Sequence, residues 1–268
     1  MKILIFLFLF SCQNKDYEGV NNMSDYLIRD LEILSNTNIY FGHQSVGYDI
    51  MDGLKKILKA TNAEIKLNIV ELDSIRSLPE NYFAHSRVGE NTIPLSKCND
   101  FRKILDTNIL KEVNLAMFKF CYVDISKDTD VLSLFDMYKM TIDSVRSKYP
   151  DIKIIHITIP LKANIFNWKT PIKMILGRET DVKPENIKRN EFNEILIEYY
   201  KNEPIFDLAK IESTRPDGTR EKFMVNDKIY YSLVPTYTYD GGHLNTIGST
   251  IVAKELIKVI SDVIKCKN

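Results

Sequence analysis

The sequence predicts one α/β domain of three layers, in which helices cover both faces of a parallel sheet. Strand-like and helix-like segments alternate along the whole chain, which is the order of elements that such a sheet requires. Two of the strand-like segments, 114–125 and 153–160, are almost continuously apolar, as strands buried on both faces are. The length of 268 residues suits one large domain, and the 44% hydrophobic content is ample for its core.

Five strands are predicted from short runs that are rich in apolar residues. The first run leads into a serine and a helix, the second alternates between polar and apolar residues, and the last is short. In chain order the predicted strands are 38–42, 64–72, 114–125, 153–160 and 204–209.

Helices are predicted where apolar residues recur at a spacing of three and four positions. The first begins at Ser24 and Asp25, which are typical of helix starts, and the second carries Ile50, Leu54 and Ile57 on one face. In chain order the predicted helices are 23–36, 47–60, 98–106, 130–149, 184–202 and 246–265. Three stretches without periodicity are predicted to be long loops, and these are 72–96, 161–183 and 209–239.

The first twelve residues, MKILIFLFLFSC, combine a lysine, a run of eight large apolar residues and a small residue before a cysteine. This layout predicts a signal peptide over 1–11, because the apolar run is far shorter than the roughly 20 residues that span a bilayer. The ending LFSC resembles a bacterial lipobox, so we expect a lipidated Cys12, a polar tether over 12–23 and a folded domain over 24–268. The alternative is a plain secretory signal in which Cys12 has no special role. Either way we expect an extracytoplasmic protein, and the lipobox places it in a bacterial cell envelope, at the outer membrane or cell surface.

The composition argues against several classes of partner and cofactor. Lysine and arginine total 36 and are balanced by 36 aspartates and glutamates, so the chain has no global positive field for a nucleic acid. No group of histidines, cysteines and carboxylates has the spacing of metal ligands. We therefore expect no nucleic acid, no metal and no cofactor, and a membrane contact only through the lipid anchor.

The stretch YFGHQSVGYDIM, residues 40–51, places Ser45 between a predicted strand and a predicted helix. Ser45 is either the N-cap of that helix or a nucleophile at the carboxyl edge of the sheet, where α/β proteins of this kind bind ligands. The stretch alone favours the cap, because capping serines are so common.

A second stretch, YDGGHLNTIGST at residues 239–250, changes that balance. A serine hydroxyl is a weak nucleophile until a base takes its proton, and the base must be held by an acceptor. His243 suits the base, and Asp240 can reach its ring because Gly241 and Gly242 allow a tight turn. The alternative is an exposed turn with an incidental histidine. Since this turn lies at the same predicted edge as Ser45, the catalytic interpretation is favoured.

These motifs resemble those of the SGNH, or GDSL-type, hydrolases, which carry a serine after the first strand and a D-x-x-H motif before the last helix. The resemblance spans roughly residues 38–260 and is to a branch with GHQSVG in place of the Gly-Asp-Ser block. It implies a flavodoxin-like, five-stranded parallel sheet and the transfer of an acyl group from an ester or amide to water. It also implies Ser45 as the nucleophile, His243 as the general base and Asp240 as the residue that orients the base.

The same resemblance implies an oxyanion hole formed by the backbone amide of Ser45, the amide of Gly89 in SRVGENT and an asparagine in a third block. The third block falls on CYVD, where Asp124 matches but Val123 stands in place of the asparagine. An aliphatic side chain cannot donate a hydrogen bond, so Asn91 is the candidate replacement. The alternative is that Asn91 bonds only to its own loop, as asparagines in turns do.

The sequence thus predicts a lipid-anchored serine ester hydrolase that acts through an acyl-enzyme, with an O-acyl group on a carbohydrate, acetyl among them, as the favoured substrate. The alternatives are a weak or inactive carbohydrate-binding lipoprotein of the same fold and an O-acyltransferase that uses the same residues. Tyr231, Tyr237 and Tyr239 are candidates to contact a sugar ring. Lys119 and Asp124 are expected to form a structural ion pair.

Overall fold

The structure is a computed structural model. It describes residues 17–61, 65–74, 77–110, 112–164 and 182–266. The predicted signal peptide over 1–11 and the predicted lipidation site Cys12 lie outside the described residues, as does most of the predicted loop 161–183.

A parallel sheet of five strands forms the centre of the domain. Its strands are β1 (Ile39–His43), β2 (Ile69–Glu71), β3 (Phe83–Arg87), β4 (Leu115–Phe118) and β5 (Lys153–Ile154). Their order is β2-β3-β1-β4-β5, so the first strand lies in the middle, and every neighbouring pair is parallel. The predicted five-stranded parallel sheet is confirmed.

A shorter parallel pair continues this layer beyond β5. It consists of β6 (His156–Ile157) and β7 (Ile205–Phe206). The amide of Ile155, between β5 and β6, still donates to the carbonyl of Ala116 in β4 at 3.1 Å.

Helices lie on both faces of the sheet. They are α1 (Tyr17–Ser35), α2 (Val46–Ala60), α3 (Pro94–Leu105), α4 (Val131–Lys148), α5 (Lys183–Tyr199), α6 (Leu208–Ser213) and α7 (Thr246–Lys265).

The central strand β1 divides the apolar core into two parts, because successive strand residues point to opposite faces. Phe41 packs in the core that is shared with α1, α2 and α7. Tyr40 packs in the other core, which is shared with α3, α4 and α5. This is the three-layer arrangement that the alternation of elements predicts.

The predicted loop 72–96 contains the strand β3, and the sequence interpretation is wrong there. The strand has the sequence FAHSR, and its polar residues give no sign in the sequence that the strand is buried. Inside the fold, His85 Nδ1 lies 3.1 Å from His43 Nε2, and Ser86 Oγ lies 3.0 Å from the Tyr40 hydroxyl. Polar groups that find partners in this way can be buried in a strand, but the partners come from another strand and leave no local signal.

Other boundaries also differ from the prediction. The predicted loop 209–239 includes most of α6 and a hairpin of β8 (Lys222–Val225) and β9 (Lys228–Tyr231). The helix α1 begins at Tyr17, within the predicted tether 12–23. No proline interrupts residues 17–23, so helical hydrogen bonding extends past the predicted start at Ser24.

The carboxyl ends of β1 and β4 meet at one edge of the sheet. Beyond the paired residues, the amide of Lys119 still donates to the carbonyl of Gly42 at 3.2 Å. The segments that carry Ser45 and Cys121 therefore leave the sheet side by side.

Candidate active site

Ser45 occupies the N-cap position of α2, but its hydroxyl does not cap the helix. A capping hydroxyl accepts a hydrogen bond from one of the next two or three amides, and Ser45 accepts none. Within the described residues, Ser45 Oγ instead contacts Cys121 Sγ at 4.0 Å. The interpretation of Ser45 as a capping hydroxyl is therefore wrong.

The backbone of Ser45 is strained. Its φ is +24°, a region that residues with a side chain rarely adopt. Strained residues of this kind persist where the surrounding structure holds them, and they cluster at functional sites. A strained turn from a strand to a helix, with a serine at its tip, is the arrangement that presents the nucleophile in the α/β-hydrolase fold.

Asp240 and His243 are in direct contact. His243 Nδ1 lies 2.6 Å from Asp240 Oδ2. The other carboxylate oxygen accepts hydrogen bonds from the amides of Gly242 at 2.9 Å and His243 at 2.8 Å. Gly241 has a φ of +96°, which only a glycine adopts without strain. Because Nδ1–H donates to the carboxylate, Nε2 is the ring nitrogen that can accept a proton.

The contacts of Asp240 also keep it ionised. Partial burial alone raises the pKa of a carboxyl group, but hydrogen bonds from the His243 ring and from the His243 and Gly242 amides outweigh it. The pKa of Asp240 therefore lies below its usual value. The imidazole faces a carboxylate, which is the partner that stabilises a protonated ring.

A bridge from α2 holds the loop of His243 in place. The carboxylate of Asp49, in the first turn of α2, accepts a hydrogen bond from the amide of Leu244 at 3.0 Å. On the other side, Asn245 caps α7 by accepting from the amides of Ile247 and Gly248. The helix that follows Ser45 is thus tied to the residue next to His243.

The structure gives no hydrogen bond between the hydroxyl of Ser45 and the imidazole of His243, both of which are described. Tyr122 lies beside the ring, with its hydroxyl 3.4 Å from Nε2 and 3.5 Å from Nδ1. The structure therefore joins Asp240 to His243 and sets Ser45 against Cys121, the neighbour of Tyr122. The complete triad of Ser45, His243 and Asp240 stays a prediction.

One of the predicted oxyanion donors is engaged elsewhere, and another is exposed. The amide of Gly89 donates to Asp100 Oδ2 at 2.8 Å. Asn91 is exposed, and its Oδ1 accepts from Lys97 Nζ at 3.1 Å. Neither contact supports an oxyanion role, whereas the amide of Ser45 has no hydrogen-bond partner among the described residues.

Asp124, the residue that matches the third block, has a structural role. Its buried carboxylate pairs with Lys97 at 2.5 Å and accepts from the amides of Thr92 at 2.8 Å and Cys121 at 2.6 Å. The expected pair with Lys119 is wrong, since the buried Nζ of Lys119 donates to Cys121 Sγ at 3.6 Å. Lys97 was missed because it lies in α3, and no spacing in the sequence links it to Asp124.

No cluster of three or more histidines, cysteines and carboxylates within the described ranges is arranged to hold a metal ion. Across the same ranges, the helices are all too short or too polar to cross a bilayer.

Neither a protein-family model nor a curated protein matches the chain. Solved structures do. A member of the lipolytic protein G-D-S-L family from Veillonella parvula is 13% identical with a TM-score of 0.51, and the match covers 84% of this chain and 98% of that one. A protein described as a GDSL-like lipase from Parabacteroides merdae is 10% identical with a TM-score of 0.50, and the match covers 84% and 95% of the two chains.

The chain therefore has the fold of the SGNH, or GDSL-type, hydrolases, as its motifs imply. At such low identity the likeness concerns the fold alone. The branch with GHQSVG stays a prediction.

Proposed function

We propose that this protein is a serine ester hydrolase with Ser45 as nucleophile, His243 as general base and Asp240 as the residue that orients the base. The observation that carries the proposal is the contact of 2.6 Å between His243 Nδ1 and Asp240, on a loop that is tied to the helix of Ser45. The strain at Ser45, whose hydroxyl caps nothing, supports it further.

The reaction takes two steps. His243 Nε2 accepts the proton of the Ser45 hydroxyl as Oγ attacks the acyl carbonyl, and the alcohol then leaves with that proton. Water next gives a proton to the same nitrogen as its oxygen attacks the acyl carbon, the bond to Ser45 Oγ breaks, and Oγ takes that proton as the acid is released. Asp240 stays ionised throughout and stabilises the protonated imidazole.

The favoured substrate is an O-acyl group, acetyl among them, on a carbohydrate of the cell envelope. Tyr239 supports this choice, because its ring is 67% exposed and lies nearly parallel to the imidazole of His243, at an angle of 11°. An exposed aromatic face beside the base suits a sugar ring. Tyr237 is buried and Tyr231 is covered by Arg220 at 3.3 Å, so neither is as well placed. The sequence MKILIFLFLFSC supports an extracytoplasmic site and a lipid anchor at Cys12.

A fluorophosphonate probe tests the proposal, because it reacts with serines that are activated by a base. We expect Ser45→Ala to abolish labelling and His243→Ala to slow it by about 10²-fold or more. Ser126→Ala, at an exposed serine outside the site, serves as the matched control and should label like the wild type. Equal labelling of Ser45→Ala and the wild type would contradict the proposal.

A second candidate is a carbohydrate-binding lipoprotein that has the fold without the activity. The observation in its favour is that the amide of Gly89, a predicted oxyanion donor, is engaged by Asp100. If this candidate is right, the probe does not label Ser45. The protein still binds an acylated polysaccharide, and Tyr239→Ala abolishes that binding. An O-acyltransferase is a third candidate. Product analysis with and without an acceptor sugar distinguishes it from the hydrolase.

A further inference from the structure

The amide of Ser45 is the predicted oxyanion donor that has no other partner among the described residues, and the side chain of Asn91 is exposed. The amide of Ser45 is available, but the amide of Gly89 is bonded to Asp100 and Val123 has no donor. Ester hydrolysis places a full negative charge on the carbonyl oxygen, and removal of one donor typically costs about 10²–10³-fold in turnover. A hydrolase with this site needs another donor close to both Ser45 and His243.

Tyr122 lies beside His243, and the residue before it in the sequence lies beside Ser45. Its sequence neighbour Cys121 touches Ser45, with Sγ 4.0 Å from Oγ. Its own hydroxyl lies 3.4 Å from His243 Nε2 and 3.5 Å from Nδ1. The turn that carries Cys121 and Tyr122 therefore contacts the nucleophile with one residue and the base with the next.

The hydroxyl of Tyr122 leaves the base free to act. A hydroxyl on the line along which Nε2 accepts a proton would lie much farther from Nδ1 than from Nε2. The two distances are nearly equal, so the hydroxyl lies to the side of that line. Nε2 can then face Ser45 while the hydroxyl points at a third atom.

Several contacts fix the tyrosine in this position. A Cβ on Gly242 would lie 2.6 Å from Tyr122 Cζ and 2.8 Å from its hydroxyl, so the approach requires a glycine there. The carbonyl of Tyr122 accepts from Arg189 Nε at 2.9 Å. The carboxylate of Asp124 holds the turn through the amide of Cys121.

The hydroxyl is also protonated at working pH. Burial, with the negative charge of Asp240, raises the pKa of Tyr122 to about 12. A phenol in this state is a hydrogen-bond donor.

We propose that the Tyr122 hydroxyl donates a hydrogen bond to the oxyanion and so replaces the missing asparagine of the third block. The inference rests on the proposed function. As the bond from Ser45 Oγ to the carbonyl carbon forms, the π electron pair moves to the carbonyl oxygen and the serine proton passes to His243 Nε2. Tyr122 keeps its own proton and stabilises the new charge. When the carbonyl reforms, the bond to the alcohol breaks and the alcohol takes the proton from His243.

The test uses the full chain, p-nitrophenyl acetate as substrate and the fluorophosphonate probe. Tyr122→Phe keeps the ring and removes the donor, and we expect both kcat and the labelling rate to fall by about 10²-fold. KM and the pH at which activity reaches half its plateau should stay unchanged, because the base is untouched. Tyr26→Phe is the control, since it removes a hydroxyl from an exposed ring on α1, outside the candidate site. It should behave as the wild type. Rates are normalised to the folded fraction from circular dichroism.

Two results would overturn the inference while leaving the proposed function intact. One is Ser45-dependent labelling that Tyr122→Phe changes by less than threefold. The other is a shifted pH profile with the plateau preserved, which would make Tyr122 a residue that only positions the imidazole. Labelling that persists in Ser45→Ala would overturn the proposed function and the inference together.

Discussion

The two helices that flank the candidate site begin in opposite ways. At the start of α7, the side chain of Asn245 accepts from the amides of Ile247 at 3.0 Å and Gly248 at 3.1 Å, with an extended backbone. At the start of α2, Ser45 has a φ of +24° and a hydroxyl that caps nothing. Both residues belong to the types that cap helices well, yet only Asn245 does so.

The start of α2 and the start of α7, with the loop before it, therefore have different structural roles. The α7 side holds the loop of Asp240 and His243 rigid, because nearly every polar group there has a partner. The α2 side keeps a strained serine whose hydroxyl caps nothing, and strained residues of this kind cluster at functional sites. The bond from the Leu244 amide to Asp49 ties the two sides together.

The largest expected effect comes from removing the charge that faces the imidazole. Asp240→Asn keeps an oxygen that can accept from the Gly242 and His243 amides, so the loop should stay folded. The imidazole then has no carboxylate partner, and the amide does not hold it in the tautomer that carries the proton on Nδ1. We expect kcat for p-nitrophenyl acetate to fall by about 10³–10⁴-fold with a small change in KM.

Asp49→Asn is the matched control for that change. Asp49 also accepts from a backbone amide near the ring, but it makes no hydrogen bond to the imidazole. We expect a loss of less than about tenfold. Similar losses in the two variants would mean that general electrostatics, and not the contact with His243, governs the rate.

A buried carboxyl group makes the α7 side sensitive to pH. Glu212 lies on α6, which packs on α7, and its side chain accepts from the Leu161 amide while Oε2 has no partner among the described residues. Burial raises the pKa of Glu212 from its ordinary 4.5 to about 8. Between these values the folded protein holds a proton that the unfolded chain has released, so rising pH favours unfolding.

We therefore expect the free energy of unfolding to fall as the pH rises from about 4.5 to about 8, by up to about 4 kcal/mol. Glu212→Gln cannot ionise, so its urea-denaturation curve should change less with pH and exceed that of the wild type at pH 8. Glu255→Gln, at an exposed position on α7, should follow the wild type. A Glu212→Gln curve parallel to the wild type would show that this carboxyl is not the source of the pH dependence.

The sequence predicts the parts of this molecule that local pattern determines. Periodicity located α7 at its observed bounds and placed β1 within one residue, because long apolar stripes and buried runs are local signals. The strand β3 was not predicted, because the burial of His85 and Ser86 depends on partners in β1.

The residues of the candidate site also fall into two groups, those with a local sequence signal and those without one. Ser45, Asp240 and His243 stand in short motifs with a chemical logic that can be read along the chain. Tyr122 does not, because 121 positions separate it from His243 and their contact exists only in the folded chain. The available sequence signal was that Tyr122, whose side chain carries a hydrogen-bond donor, precedes the aliphatic Val123.

The smallest expected effect tests the comparison itself. Asn245→Ala removes two capping hydrogen bonds and should lower the free energy of unfolding by about 1 kcal/mol. Ser45→Ala removes a hydroxyl that caps nothing and should change it by less than about 0.5 kcal/mol. Ser45→Gly should be at least as stable as Ser45→Ala, because glycine tolerates a positive φ better than alanine does, and this gain offsets its greater freedom in the unfolded chain. Urea denaturation of the three variants measures all of these differences. Equal losses at Ser45 and Asn245 would mean that the serine hydroxyl caps α2 in solution, and the hydroxyl would then be occupied where the mechanism needs it free.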